Sequence, residues 1–170
     1  MSNNSVPVIS VVGWSNSGKT TFLEQLVTEL KARGIKVGII KHHHGPVEID
    51  RPGKDTWRLF QAGAEYTAIA GLGKIGLVIR SEEEMTCGAI AALMPGVDLI
   101  IAEGYKNSSY PQIEVRRAGH YQGEPASKAG QLAAVFGDKA FCEEGVPCFG
   151  GEDIKGIAGF IIDQYCRGGG

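Results

Sequence analysis

The sequence predicts an α/β fold with a mostly parallel sheet and helices on both faces. Three observations carry that prediction. Short runs rich in valine and isoleucine alternate with stretches of helical periodicity along the whole chain. The runs show little polar alternation, as strands buried on both faces do. The segments rich in glycine and charge fall directly after the runs, at the carboxyl ends of strands, where open α/β sheets bind their ligands.

Residues 6–12 read as the first buried strand. Residues 20–33 carry Phe22, Leu23, Leu26, Val27 and Leu30 as one helical stripe, and Gly34 closes the helix. "KVGIIK" (36–41) is a second short strand, followed by a polar loop. Residues 54–64 form a helix with Trp57, Leu59 and Phe60 on its apolar side and Gly63 at its end. Residues 66–70 and 75–79, joined at Gly73-Lys74, read as a hairpin. Its second strand could be an edge open to pairing across subunits. Ser81 is the expected N-cap of a helix running to Leu93, with Glu82, Glu83 and Glu84 loading its first turn. Strands follow at 98–102, 112–117 and 132–136. Ile154, Ile157, Ala158, Ile161, Ile162 and Tyr165 stripe a C-terminal helix, and Gly168-Gly169-Gly170 reads as a frayed end. With no repeat or linker, one domain over 1–170, with its core at about 6–167, is expected.

The 170 residues are 43% hydrophobic and 21% charged, with a formal net charge of −2. That balance gives no basic field for nucleic acid or an anionic membrane. No apolar run approaches the roughly 20 residues that span a bilayer, and Met-Ser-Asn-Asn-Ser lacks the features of a signal peptide. A cytoplasmic location is the expectation. Cys87, Cys142, Cys148 and Cys166 match no C-x-x-C pair and are expected as free thiols. Cys87, inside an expected helix, reads as core and not as a nucleophile.

Gly13-Trp14-Ser15-Asn16-Ser17-Gly18-Lys19-Thr20 matches G-x-x-x-x-G-K-[ST] in full and lies between a strand and a helix. Such a loop turns its amides toward a phosphate chain, and the following helix adds the positive end of its dipole. Lys19 supplies charge for the β and γ phosphates, the Thr20 hydroxyl can reach Mg²⁺, and the small side chains of Ser15 and Ser17 keep the approach open. The motif makes the fold P-loop NTPase-like. Glu103, ending "VDLIIAE", is placed to hold Mg²⁺ directly or through water, although a solvated strand-end carboxylate is the alternative. Lys41, His42, His43 and His44 read as an anion patch, since neighbours on an extended chain point apart and two histidines make no metal cage. Asp50, Arg51, Lys54, Asp55 and Arg58 gather in a turn that could order around a γ-phosphate and Mg²⁺. A solvated turn with Asp55 at a helix start explains them equally well.

"GWSNSGKTTFLEQLVTELKARGIKVGIIKHHHG", "DRPGKDTWRLFQAGA" and "DLIIAEGYK" together resemble the molybdopterin-guanine dinucleotide biosynthesis protein B (MobB) family over about residues 6–137. The resemblance implies a fold related to dethiobiotin synthetase and GTP with Mg²⁺ as cofactors. It also implies weak GTPase activity, a homodimer, and assistance to the molybdopterin guanylyltransferase, with molybdopterin as a further ligand. Carried onto this chain, Gly13, Ser15, Asn16, Ser17, Gly18, Lys19, Thr20 and Thr21 hold the nucleotide, and Lys19 and Glu103 are the catalytic candidates. Thr20, Glu103 and Asp55 are the metal candidates. Asp138 in "VFGDK" could accept from the N1–H and N2–H₂ groups of guanine, or simply start a turn. A full Asn-Lys-x-Asp motif is absent. The rival reading is an ATP-dependent small-molecule kinase or ligase of the dethiobiotin synthetase type, with the patch at 41–44 as its acceptor site.

Overall fold

The computed structural model describes residues 6–43 and 45–167. The expectations for residues 1–5, His44 and the glycine tail at 168–170 lie outside the described residues. In chain order the elements are β1 (Val8–Val12), α1 (Lys19–Ala32), β2 (Val37–Lys41), α2 (Asp55–Gln61), β3 (Tyr66–Gly71) and β4 (Lys74–Ile79). Then come α3 (Cys87–Ala91), β5 (Leu99–Glu103), β6 (Gln112–Arg116), β7 (Leu132–Gly137), β8 (Cys148–Gly150) and α4 (Ile154–Ile161). After α4 the chain widens into a π-turn, Ile162–Cys166. The elements form two compact units: one runs to His42 and resumes at Cys87, and the other is His43–Thr86.

The larger unit holds a six-stranded sheet in the order β2-β5-β1-β6-β7-β8, parallel at every pairing. Helices cover both faces. Phe22, Leu23, Leu26 and Leu30 of α1 and Ile157, Ala158 and Ile161 of α4 pack on Ile9, Val11, Leu99, Ile101, Ile113, Val115 and Phe136. On the other face Cys87, Ile90 and Ala91 of α3 meet Ile40, Ile100 and Ala102. This face continues over β6 without a helix. There Gln112, Glu114 and Arg116 point away from the apolar core and are buried beneath the connection that leads to β7. The Gln112 side chain donates to the Lys106 carbonyl at 2.9 Å and accepts from the Lys128 amide at 2.7 Å. Glu114 accepts from the amides of Ala126 and Ser127, the Ser127 hydroxyl and the Arg116 guanidinium. Arg116 also donates to the Phe141 carbonyl and pairs with Glu143.

In the smaller unit β3 and β4 form the expected antiparallel hairpin. Arg80 donates to the carbonyls of Phe60 and Ala64, its guanidinium 4.2 Å from the Phe60 ring centre. The pairing places Tyr66, Ala68, Ala70, Ile75 and Leu77 on one face of the ribbon, and all five are exposed.

Two expectations are corrected. The helix expected from Ser81 to Leu93 is confined to Cys87–Ala91. The Ser81 hydroxyl donates to the Glu83 carbonyl, a local bond that competes with a helical start. The three adjacent glutamates have no lysine or arginine three or four residues on to offset their repulsion. Nor are all four cysteines free: Cys142 and Cys148 form a disulfide, with Cα atoms 5.7 Å apart, while Cys87 and Cys166 are thiols. A short 3₁₀ turn at Lys139–Phe141 and a tight return into β8 bring the pair together, so no C-x-x-C spacing was needed.

Candidate functional site

The loop from Gly13 to Gly18 leaves β1 at the centre of the sheet, where neighbours β5 and β6 diverge in chain order. This is the switch point at which parallel sheets open a crevice. Gly13 has φ 153°, and a Cβ there would lie 2.6 Å from the Val115 carbonyl oxygen and 2.8 Å from Ser17 Oγ, so no side chain fits. Asn16 has φ 61° and Gly18 φ 91°, and α1 starts at Lys19. The Ser17 amide donates to the Trp14 carbonyl, closing the loop on itself. Ser17 Oγ is buried and has no hydrogen-bond partner among the described residues, an unsatisfied donor and acceptor in the cradle.

Lys19 folds its ammonium over the loop and donates to the carbonyls of Gly13 (3.1 Å) and Trp14 (2.8 Å). Burial pushes this ammonium below its ordinary range. The Glu103 carboxylate opposes that, while the charges of Lys106 and Lys41 add to it. Glu103, at the tip of β5, keeps 14% of its side chain exposed and lies 3.6 Å from Lys41 Nζ. Ser15, Thr20 and Thr21 are exposed along the loop and the first turn of α1. One strand-tip carboxylate with a threonine hydroxyl suits Mg²⁺, which keeps waters and takes its other ligands from phosphate. Among the described residues no three His, Cys, Asp or Glu side chains gather as a metal site of their own.

The chain after Glu103 is sharply bent. Gly104 has φ 94°, and Tyr105 at 52° is, with Asn16, one of two non-glycine residues in the left-handed region among those described. Strain of this kind persists where the surroundings fix it, and both instances flank this site. The Tyr105 ring lies 4.7 Å from that of His42, and Lys106 Nζ lies 4.9 Å from the centre of the Trp14 ring. The Trp14 indole N–H donates to the Glu124 carbonyl at 2.9 Å.

On the other side of the α1 start a cavity of about 450 Å³ is lined by Gly18, Thr21, Gln25, Arg117, Asp138 and Glu152, among others. Asp138 also starts the 3₁₀ turn, accepting weakly from the Ala140 amide at 3.4 Å, so its turn role is real and its carboxylate still borders the cavity. Asp55 is the first residue of α2. It belongs to the smaller unit, as do Arg51, Lys54 and Arg58. The structure thus gathers Gly13 to Thr21, Lys41, Glu103 and Asp138 within one unit. Sequence reasoning missed Trp14, Lys106, Arg117 and Glu152.

The fold and the loop define an α/β protein of the P-loop NTPase-like class. The family profile described as "Molybdopterin guanine dinucleotide synthesis protein B" matches residues 8–138, and the chain belongs to that family, MobB. The molybdopterin-guanine dinucleotide biosynthesis adapter protein of Escherichia coli K12 is 34% identical over 164 residues, 93% of each chain. The probable adapter protein of Bacillus subtilis 168 is 30% identical over 162 residues, 93% of this chain and 92% of its own. The crystal structure of Bacillus subtilis MobB superposes with a TM-score of 0.75 at 29% identity, covering 94% of this chain and 98% of that one. A second structure described as molybdopterin-guanine biosynthesis protein B gives 0.72 at 26% identity, over 92% and 98%.

Proposed function

We propose that this protein is a GTP-binding adapter in molybdenum cofactor biosynthesis. It holds GTP with Mg²⁺ at the loop from Gly13 to Thr20, hydrolyses it slowly, and assists the cytoplasmic guanylyltransferase that attaches the guanine nucleotide to molybdopterin. The observation that carries the reading is the loop itself. Ser17 Oγ is buried without a partner, and Lys19 is parked on two backbone carbonyls that phosphate oxygens can replace as its acceptors. The adapter role is supported by the relatives bearing that name.

In this reading the loop and the start of α1 bind the β and γ phosphates, and Lys19 turns from the carbonyls to bridge them. Thr20 and Glu103 hold Mg²⁺, which screens the phosphate charge. Thr21 borders the cavity that takes the nucleoside, where Asp138 accepts from the guanine N1–H and N2–H₂, groups that adenine lacks. Slow hydrolysis is the expectation from the family; Gln25 and Arg117, the glutamine and arginine near the start of α1, line the cavity assigned to the nucleoside. Calorimetric titration with GTP and ATP, with and without magnesium, tests the assignment. GTP is expected to bind more tightly than ATP and to need magnesium. Equal affinities would shift the reading toward the kinase or ligase class, and no heat from either would end it.

The homodimer expected from the family is proposed to form through the apolar face of the β3–β4 ribbon. Ile75 and Leu77 there are 74% and 50% exposed, in a unit too small to cover them itself. Leu77→Asp is expected to shift the mass in analytical ultracentrifugation from dimer to monomer. An unchanged dimer would place the interface elsewhere.

A further inference from the structure

Lys106 has no assigned part in the phosphate site, yet the chain goes to some length to place it there. Directly after Glu103 the backbone enters the left-handed region twice, at Gly104 and Tyr105. That reversal brings residue 106 back over the phosphate loop. The Lys106 carbonyl is then fixed by the amide of Gln112, a side chain fully buried in the sheet. The ammonium rests on the face of Trp14, the first residue after Gly13. Trp14 is itself tethered through its indole N–H to the Glu124 carbonyl. The Lys106 backbone is therefore anchored and its perch is anchored, while the exposed four-carbon stem between them can still move.

From this geometry we propose that Lys106 is the second cation of the site, leaving the Trp14 face to bind the terminal phosphate of a nucleoside triphosphate. An exposed cation–π contact is weaker than a charge-assisted bond to a phosphate oxygen, so the exchange is favourable once a triphosphate arrives. The neighbouring charges favour this choice. Lys41 already faces Glu103, and Lys19 is committed to the bridge between the β and γ phosphates. Lys106 and Lys41 also press on Lys19 electrostatically, which marks a shared field with more positive than negative charge, suited to a polyanion. Bound to the terminal phosphate, Lys106 would favour triphosphate over diphosphate. It would also offset the charge that develops as the terminal phosphoryl group is transferred to water.

The inference rests on the proposed nucleotide site, and its test separates the two. Affinities for a non-hydrolysable GTP analogue and for GDP, both with magnesium, are measured by calorimetry for the wild type, Lys106→Gln, Lys106→Arg and Lys19→Ala. Lys106→Gln is expected to weaken the analogue about tenfold or more and GDP far less, and Lys106→Arg to restore most of the preference. If Lys106→Gln leaves the analogue-to-GDP ratio unchanged while Lys19→Ala loses both ligands, Lys106 is not the second cation and the nucleotide site stands. If neither ligand binds the wild type, the site itself is misassigned and the inference falls with it. The exposed position of Lys106 makes misfolding an unsuitable explanation for a selective loss, and matching melting curves for the two Lys106 variants verify this.

Discussion

Lys19→Ala is expected to weaken GTP binding by about a hundredfold or more and to leave the melting temperature within a few degrees of the wild type. The first effect follows from what the ammonium would do with ligand present. It would exchange two neutral carbonyl acceptors for anionic phosphate oxygens, adding the attraction of opposite charges to bonds it already makes. The second follows from what it does in this structure. Lys19 is half-buried, so removing its ammonium leaves the Gly13 and Trp14 carbonyls within reach of water and not stranded in the core. Burial already disfavours the charged form here. Titration calorimetry and thermal unfolding on the same preparation check both halves. Undiminished affinity would overturn the phosphate assignment, and a collapse in stability would make Lys19 a structural ion.

The largest stability effect is expected at Glu114. Its carboxylate is fully buried and receives the amides of Ala126 and Ser127, the Ser127 hydroxyl and Arg116. Glu114→Ala strands the buried Arg116 guanidinium and two amides, and breaking such a pair from one side costs about 3–5 kcal/mol. Arg116 retains Glu143, which is partly exposed and softens that loss. The site also predicts a pH dependence. Burial alone would push the Glu114 carboxyl up, but its bonds to Arg116, Ala126 and Ser127 outweigh this and hold it below its ordinary value of 4.5. A carboxyl depressed in the folded state contributes stability that is complete above its unfolded value. That contribution is lost as pH falls through the folded one. Urea unfolding at pH 7 and below pH 4 should therefore show a steeper acid loss in the wild type than in Glu114→Gln. Equal acid slopes would mean that other carboxyls govern acid unfolding.

The sequence revealed what is local and concealed what the fold assembles. The phosphate loop was legible because eight consecutive residues carry it, and the helical stripe of α1 confirmed its register. The parallel sheet followed from valine-rich runs, and the β3–β4 hairpin from its Gly-Lys turn. The helix expected from Ser81 does not form there because the local bond from Ser81 to Glu83 competes with the cap that the sequence suggests. "QIEVRR" predicts a strand. Its alternation of Ile113 and Val115 with Gln112, Glu114 and Arg116 reports two differently covered faces, one apolar and one polar, both buried. Lys106 could not be found from sequence, because it reaches Trp14 only through a reversal at Gly104 and Tyr105. The Cys142–Cys148 bond is not legible from spacing because the chain path through the 3₁₀ turn, and no local motif, brings the two together.

The strap across β6 spans residues 117–131 and is tied by Ala126 and Ser127 to Glu114, by Lys128 to Gln112 and Asn107, by Glu124 to Trp14, and by the Tyr121 ring to Phe141 and Arg116. Most of these ties are polar, and none belongs to the packing between α1, α4 and the sheet. Insertions or deletions near its glycines, Gly119 and Gly123, can therefore alter how firmly Glu124 grips the indole without disturbing the oily interior. Lineages of this architecture can retune the mouth of the crevice by editing the strap, while the scaffold beneath stays as it is.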